Sequence, residues 1–145
     1  MLTKFFKKNK DKDKEKNLNK KNILIIALLV HAAKIDENYT DAEREIIKKT
    51  IVSLNSVDIE KAEDLLKFAE EKEKESNQIV EFTKEIKKYS TEFRLKIVEI
   101  VWKILYSDGS IGEYESNLMR RICGLLYVTD KDSGVIKMNI KNSLK

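Results

Sequence analysis

With 145 residues, 41% of them apolar and 37% charged, the chain can bury one core and is too short for two comfortable domains. Proline is absent and glycines number four, which predicts short turns between long helices and hence an all-α fold, while the single Cys123 excludes an internal disulfide and points to a reducing cytoplasm. Residues 1–22 hold nine Lys against Asp11, Asp13 and Glu15, so this stretch carries +6 of the net +4 and leaves 4 − 6 = −2 for the rest, where a nucleic-acid binder would keep positive charge on a folded face.

In chain order, residues 1–21 read as a basic disordered tail, since from residue 7 onward Lys, Asn, Asp and Glu offer almost nothing to bury. Leu2, Phe5 and Phe6 stand among Lys4, Lys7 and Lys8, a pattern suited to weak contact with an anionic membrane surface; a solvated start with incidental aromatics is the simpler reading. No signal peptide is expected, and the first apolar run, 23–33, is too short to span a bilayer. A single helical domain is expected over 22–145. Its first helix, near Asn22 to Lys34, is apolar all round, as a buried helix must be. The second, near Asp41 to Leu54, spaces Ile46, Ile47, Ile51 and Leu54 along one face. The third, about Asp58 to Glu75, presents Ala62, Leu65, Leu66 and Ala69, and its run Glu70 to Glu75 reads as a solvated face of Glu–Lys pairs. The fourth, near Gln78 to Tyr89, carries Ile79, Phe82 and Ile86. The fifth, Thr91 to Ser107, is again apolar on more than one face, and Trp102 and Phe93 read as core. The sixth runs from about Glu113 to Leu126, with Cys123 as a small buried residue. A last helix, roughly Lys131 to Leu144, offers Val135, Ile136 and Ile140 for docking. His31, with no second His or a nearby Cys for zinc, reads as a satisfied core or rim histidine.

An acidic signature occurs twice, 72 positions apart: Asp36-Glu37-Asn38-Tyr39-Thr40-Asp41-Ala42-Glu43 and Asp108-Gly109-Ser110-Ile111-Gly112-Glu113-Tyr114-Glu115, each after an apolar helix. The register extends beyond the loops, with Ile25, Ile26, Leu28, Leu29 and Val30 opposite Ile97, Val98, Ile100, Val101 and Trp102. This predicts two helix-loop-helix repeats about a pseudo-twofold axis, with helices 1 and 5 central and the loops as the place to seek function.

These motifs resemble the paired acidic motifs of the TerB tellurite-resistance family, and Arg120-Arg121-Ile122-Cys123-Gly124-Leu125-Leu126 followed by Thr129-Asp130 resembles that family's C-terminal pattern. The resemblance implies a seven-helix bundle, an acidic surface that binds divalent cations, and a stress-response role near the inner membrane. The same fold resembles the cytoplasmic N-terminal domain of the DjlA co-chaperone. Glu37 stands where the family commonly has Gly, and Asn38, Thr40 and Gly112 stand where acids are common.

Asp36, Asn38 and Thr40 occupy alternate loop positions, so a tight turn can aim their oxygens inward, with Glu43 arriving from the next helix; Asp108, Ser110, the Gly112 carbonyl and Glu115 take the same places in the second loop. Such oxygen donors suit calcium or magnesium, but a Glu at the eighth position is too early for an EF-hand, and so few carboxylates predict weak binding. A simpler reading covers part of the set: Thr40-Asp41-Ala42-Glu43 is a capping box, and acids at a helix N-terminus favour its dipole. Capping accounts less well for Asp36 and Asp108, which lie four residues before the cap. One His and one Cys assemble no nucleophilic catalytic set, and no phosphate-cradling glycine loop is present, so no enzyme is expected. Two functions remain: a cytoplasmic, divalent-cation-binding scaffold in tellurite resistance or envelope stress, peripheral to the membrane's inner face and working through protein partners, or a metal-independent interaction or oligomerisation module like the DjlA N-terminal domain.

Overall fold

The computed structural model describes residues 23–35, 37–75, 78–108 and 111–143, the side chain of Asp108 excepted; the expected tail lies outside the described residues. Among the described residues there are seven α-helices and no strand: α1 (23–33), α2 (Asp41–Asn55), α3 (Ile59–Glu75), α4 (Ile79–Ile86), α5 (Thr91–Leu105), α6 (Glu113–Leu125) and α7 (Asp130–Ser143), with a 3-10 turn at Tyr106–Asp108. None of these helices is long and apolar enough to cross a membrane.

Residues 23–33 are buried throughout except Leu24 and His31, which are half-buried, so α1 is enclosed on nearly every side. Helix α5 buries Ile97, Val98, Ile100, Val101, Trp102, Ile104 and Leu105, a set too wide for one stripe, and packs against α7, α6 and α2. Around this centre α2 rests on α3 and α4 on α6. Each fully buried Leu, Ile or Val contributes about 1.5–3 kcal/mol relative to an exposed one, so these two helices supply much of the drive to fold.

Side-chain oxygens start α5, α3 and α7 where the sequence places them. Ser90 Oγ accepts from the Phe93 amide at 3.2 Å, Asp58 Oδ1 from the Lys61 amide at 2.8 Å, and Thr129 Oγ1 from the Asp132 amide at 3.1 Å. The Ser90 cap explains why α4 stops at Ile86 rather than Tyr89: residues 87–89 turn the chain into α5, and the Tyr89 ring sits 4.7 Å from that of Phe93. Where α6 ends, Tyr127 turns left-handed (φ 56), Val128 N–H donates to the Cys123 carbonyl at 2.9 Å, and Arg94 Nη1 donates to the Leu126 carbonyl at 2.8 Å.

Helix α7 docks through Ile140 and the half-buried Ile136, while Val135, also expected to dock, is 55% exposed. Polar contacts complete the seam: Trp102 Nε1 donates to Ser133 Oγ at 3.1 Å, and Lys137 Nζ lies 5.2 Å from the Trp102 ring centroid.

Candidate functional site

The first acidic loop joins α1 to α2. Glu37, at φ 63, takes the left-handed conformation that a side chain disfavours, and this reverses the chain toward α2. The reciprocal cap then forms in full. Glu43 N–H donates to Thr40 Oγ1 at 3.1 Å, and Glu43 Oε1 accepts from both the Thr40 amide and the Thr40 hydroxyl at 2.9 Å. Glu43 is only 5% exposed.

The second loop repeats half of this arrangement. Glu115 Oε1 accepts from the Gly112 amide at 3.2 Å, but glycine has no oxygen to return the bond to the third helical amide. Glu115 is 8% exposed, and Tyr114 beside it is among the most exposed large side chains.

Sequence reasoning missed the charged framework behind the first loop. Glu73, expected on a solvated face, is 6% exposed: its Oε1 lies 3.2 Å from His31 Nδ1, and its Oε2 accepts from Lys34 Nζ at 3.0 Å. The Nδ1–H tautomer of His31 makes this a hydrogen bond, and the ring lies at a tilt 6.1 Å from that of Phe82. Lys34 Nζ also stands 5.9 Å from the Tyr39 ring centroid, so it faces α3 and the loop together. Tyr39 Oη is enclosed without a hydrogen bond of good geometry; burial, then the neighbouring Glu70 carboxylate, raise the phenol's pKa.

On the far side of Tyr39, Arg44 from α2 grips Glu70 of α3 through Nη2 at 3.1 Å and Nε at 3.3 Å, and reaches Glu63 at 3.0 Å. Lys48 pairs with Glu63 as well. Hydrogen bonds from Lys48 first and Arg44 second hold the Glu63 carboxyl below its ordinary range, and the Glu70 bond raises the Arg44 guanidinium above its own. The signal was in the spacing. Glu73 continues the buried series Ala62, Leu66, Ala69 at helical intervals, and Glu63 and Glu70 are seven residues apart on one face.

Of the residues expected to ligate a cation, the structure places Thr40 and Glu43 together at the α2 N-terminus, leaves Asn38 exposed at the loop's outer edge, and sets Glu115 at the α6 N-terminus. Asp36, Ser110 and the Asp108 side chain lie outside the described residues. Among the described residues, no three His, Cys, Asp or Glu side chains form a group able to hold a metal ion. Glu43 and Glu115 keep a carboxylate, the donor type that a hard cation takes, beside each loop. The cap already employs Glu43 Oε1 twice, so any cation shares that carboxylate with Thr40.

A family model described as tellurite resistance protein TerB matches residues 22–138. No curated protein and no solved structure matches the chain.

Proposed function

The chain belongs to the tellurite resistance protein TerB family, and from that premise we propose a non-catalytic scaffold that binds a hard divalent cation weakly at its acidic loops and acts through protein partners in tellurite resistance or envelope stress. Asp36, Asn38, Thr40 and Glu43 would hold calcium or magnesium at the first loop, and Asp108, Ser110 and Glu115 at the second. The ion would supply charge neutralisation that draws loop oxygens together. The protein's own contribution is to fix Glu43 and Glu115 at helix starts.

The burial of Glu43 and Glu115 at matching places carries this reading. Each is the first-turn carboxylate of a helix that follows an acidic loop, so each loop has a hard anionic oxygen fixed beside it. Phe68, Tyr114, Tyr127 and Met138 are exposed on separate elements and are open to a partner one by one. A cytoplasmic location, with the basic residues 1–21 resting on anionic lipid at the membrane's inner face, fits the same role.

Mutation separates ligands from caps. Glu43→Gln or Glu115→Gln should keep part of the cap and lower calcium affinity, whereas Asp36→Asn or Asp108→Asn should remove binding at that loop with little cost to the ion-free fold. Calorimetric titration with calcium reads both effects, and unaltered affinity in Asp36→Asn and Asp108→Asn rejects the assignment.

A metal-independent interaction module of the DjlA N-terminal type is the second reading. It is favoured by the double use of Glu43 Oε1 in the Thr40 cap, which gives that carboxylate a structural role without an ion. Partner capture or self-association unchanged by a chelator would support it.

A further inference from the structure

We infer that α3 is a charge-held strap, an element that opens from the bundle on its own and does so more readily as ionic strength rises. The inference is independent of cation binding at the loops. Across its 17 residues α3 buries only Ala62, Leu66 and Ala69 among its apolar side chains, with Leu65 half-buried, while the larger Ile59 and Phe68 are exposed. So small an apolar face leaves much of its attachment to polar contacts.

Those contacts are concentrated on this helix. Among the described residues, every ion pair between residues more than four apart in sequence ends on α3: Lys34 with Glu73, Arg44 with Glu63 and Glu70, and Lys48 with Glu63. His31 adds its hydrogen bond to Glu73. The other pairs, such as Lys74 with Glu71 and Lys103 with Glu99, lie within single helices. The groups at Glu63 and Glu70 are part-exposed, so dissolved ions reach them and weaken the hold. When α3 opens, Ala62, Leu66 and Ala69 become accessible together with His31, and Lys34, Arg44 and Lys48 lose their anionic partners.

Helix α7 supplies the contrast. It too buries little, Ser133 and Ile140 with Ile136 half-buried, yet it docks through the Trp102–Ser133 hydrogen bond and forms no ion pair with another helix among the described residues. It therefore serves as a reference for salt effects that do not act through ion pairs.

The test is amide hydrogen exchange of the full chain, followed over peptides of α3, α5 and α7 in about 0.1 M and about 1 M sodium chloride, between which the screening length falls from about 10 Å to about 3 Å. An exposed ion pair shifts an equilibrium by a factor of about 1.4 to 5, so loss of the lower factor at each of four pairs amounts to about fourfold. The expected result is that α3 exchanges faster than α5 in both salts, and that high salt speeds α3 about fourfold or more relative to α7. Two substitutions of equal charge separate the strap from net charge. Glu70→Gln removes a partner of Arg44, whereas Glu71→Gln removes an exposed carboxylate one residue away whose pair with Lys74 stays within α3. Only Glu70→Gln should speed α3 exchange at low salt and shrink its response to high salt. Equal effects of the two substitutions, equal salt responses in α3 and α7, or exchange of α3 at the rate of α5 would each overturn the inference.

Discussion

Replacing Gly112 tests whether the α6 N-terminus lacks only a side-chain oxygen. Gly112 has φ −88 and ψ 179, extended backbone open to any residue, and a Cβ built there meets nothing nearer than Glu115 Oε1 at 3.6 Å, an ordinary contact. Serine at this position can therefore accept from the Glu115 amide and complete the box that Thr40 and Glu43 form at α2. Ser exceeds Gly as an N-cap by a few tenths of a kcal/mol and exceeds Ala by about 0.5–2 kcal/mol. The expected order of stability is Gly112→Ser, then wild type, then Gly112→Ala, with a Ser-to-Ala gap of about 1 kcal/mol. Urea denaturation of the three proteins measures it, and a gap of that size is about 2–4 °C in a thermal melt for a chain of this length. Equal stability of Ser and Ala would refute the reasoning, since it would mean that no cap hydrogen bond forms.

Three further outcomes are expected. Glu37→Gly relieves a left-handed side-chain residue at φ 63, a strain of about 1–2 kcal/mol, against a glycine entropy cost of about 0.5–1 kcal/mol; the net gain in melting stability is up to about 1.5 kcal/mol, and a loss would contradict it. The Glu63 carboxyl is held below its unfolded value by Lys48 and Arg44, so its contribution is present above the ordinary carboxylate range and is lost as pH falls through the depressed folded value; Glu63→Gln should flatten that part of the stability-versus-pH curve, and an unchanged acid limb would count against it. Vesicles of anionic lipid should co-sediment more of the full chain than of a chain starting at Asn22 at low salt, because residues 1–22 carry +6 and the remainder −2; equal sedimentation removes the membrane role.

Much of this fold was legible because apolar residues in α1 and α5 exceed one helical stripe, a pattern with one solution in water, burial on nearly all sides. The α2 cap was legible too, since Thr40 and Glu43 stand at the capping-box spacing and no tertiary contact is needed to pair them. Glu73 was not read correctly because its neighbours Glu71, Lys72 and Lys74 are exposed and charged, and local charge alternation outweighed the longer series from Ala62 through Ala69. Its partners His31 and Lys34 lie 42 and 39 residues earlier, a separation that local patterning does not reach. Val135 reads from the sequence as a docking residue beside Ile136 and Ile140, but those two are four apart and share one face of α7, while Val135 is exposed. In the loops, Glu43 and Glu115 were recognisable as caps, while their near-complete burial depends on packing that spacing alone does not express.

The acidic loops are proposed to take up a hard divalent cation. Thermal melts of the full chain in millimolar calcium or magnesium, each compared with a monovalent salt of matched ionic strength, test it most directly. An ion at 100 times its dissociation constant should add about 2.7 kcal/mol to stability, a rise of several degrees in melting temperature, and Glu43→Gln should reduce that rise. Superimposable melts with and without the divalent ion would contradict the claim and leave the loops as caps and turns of a metal-independent interaction module.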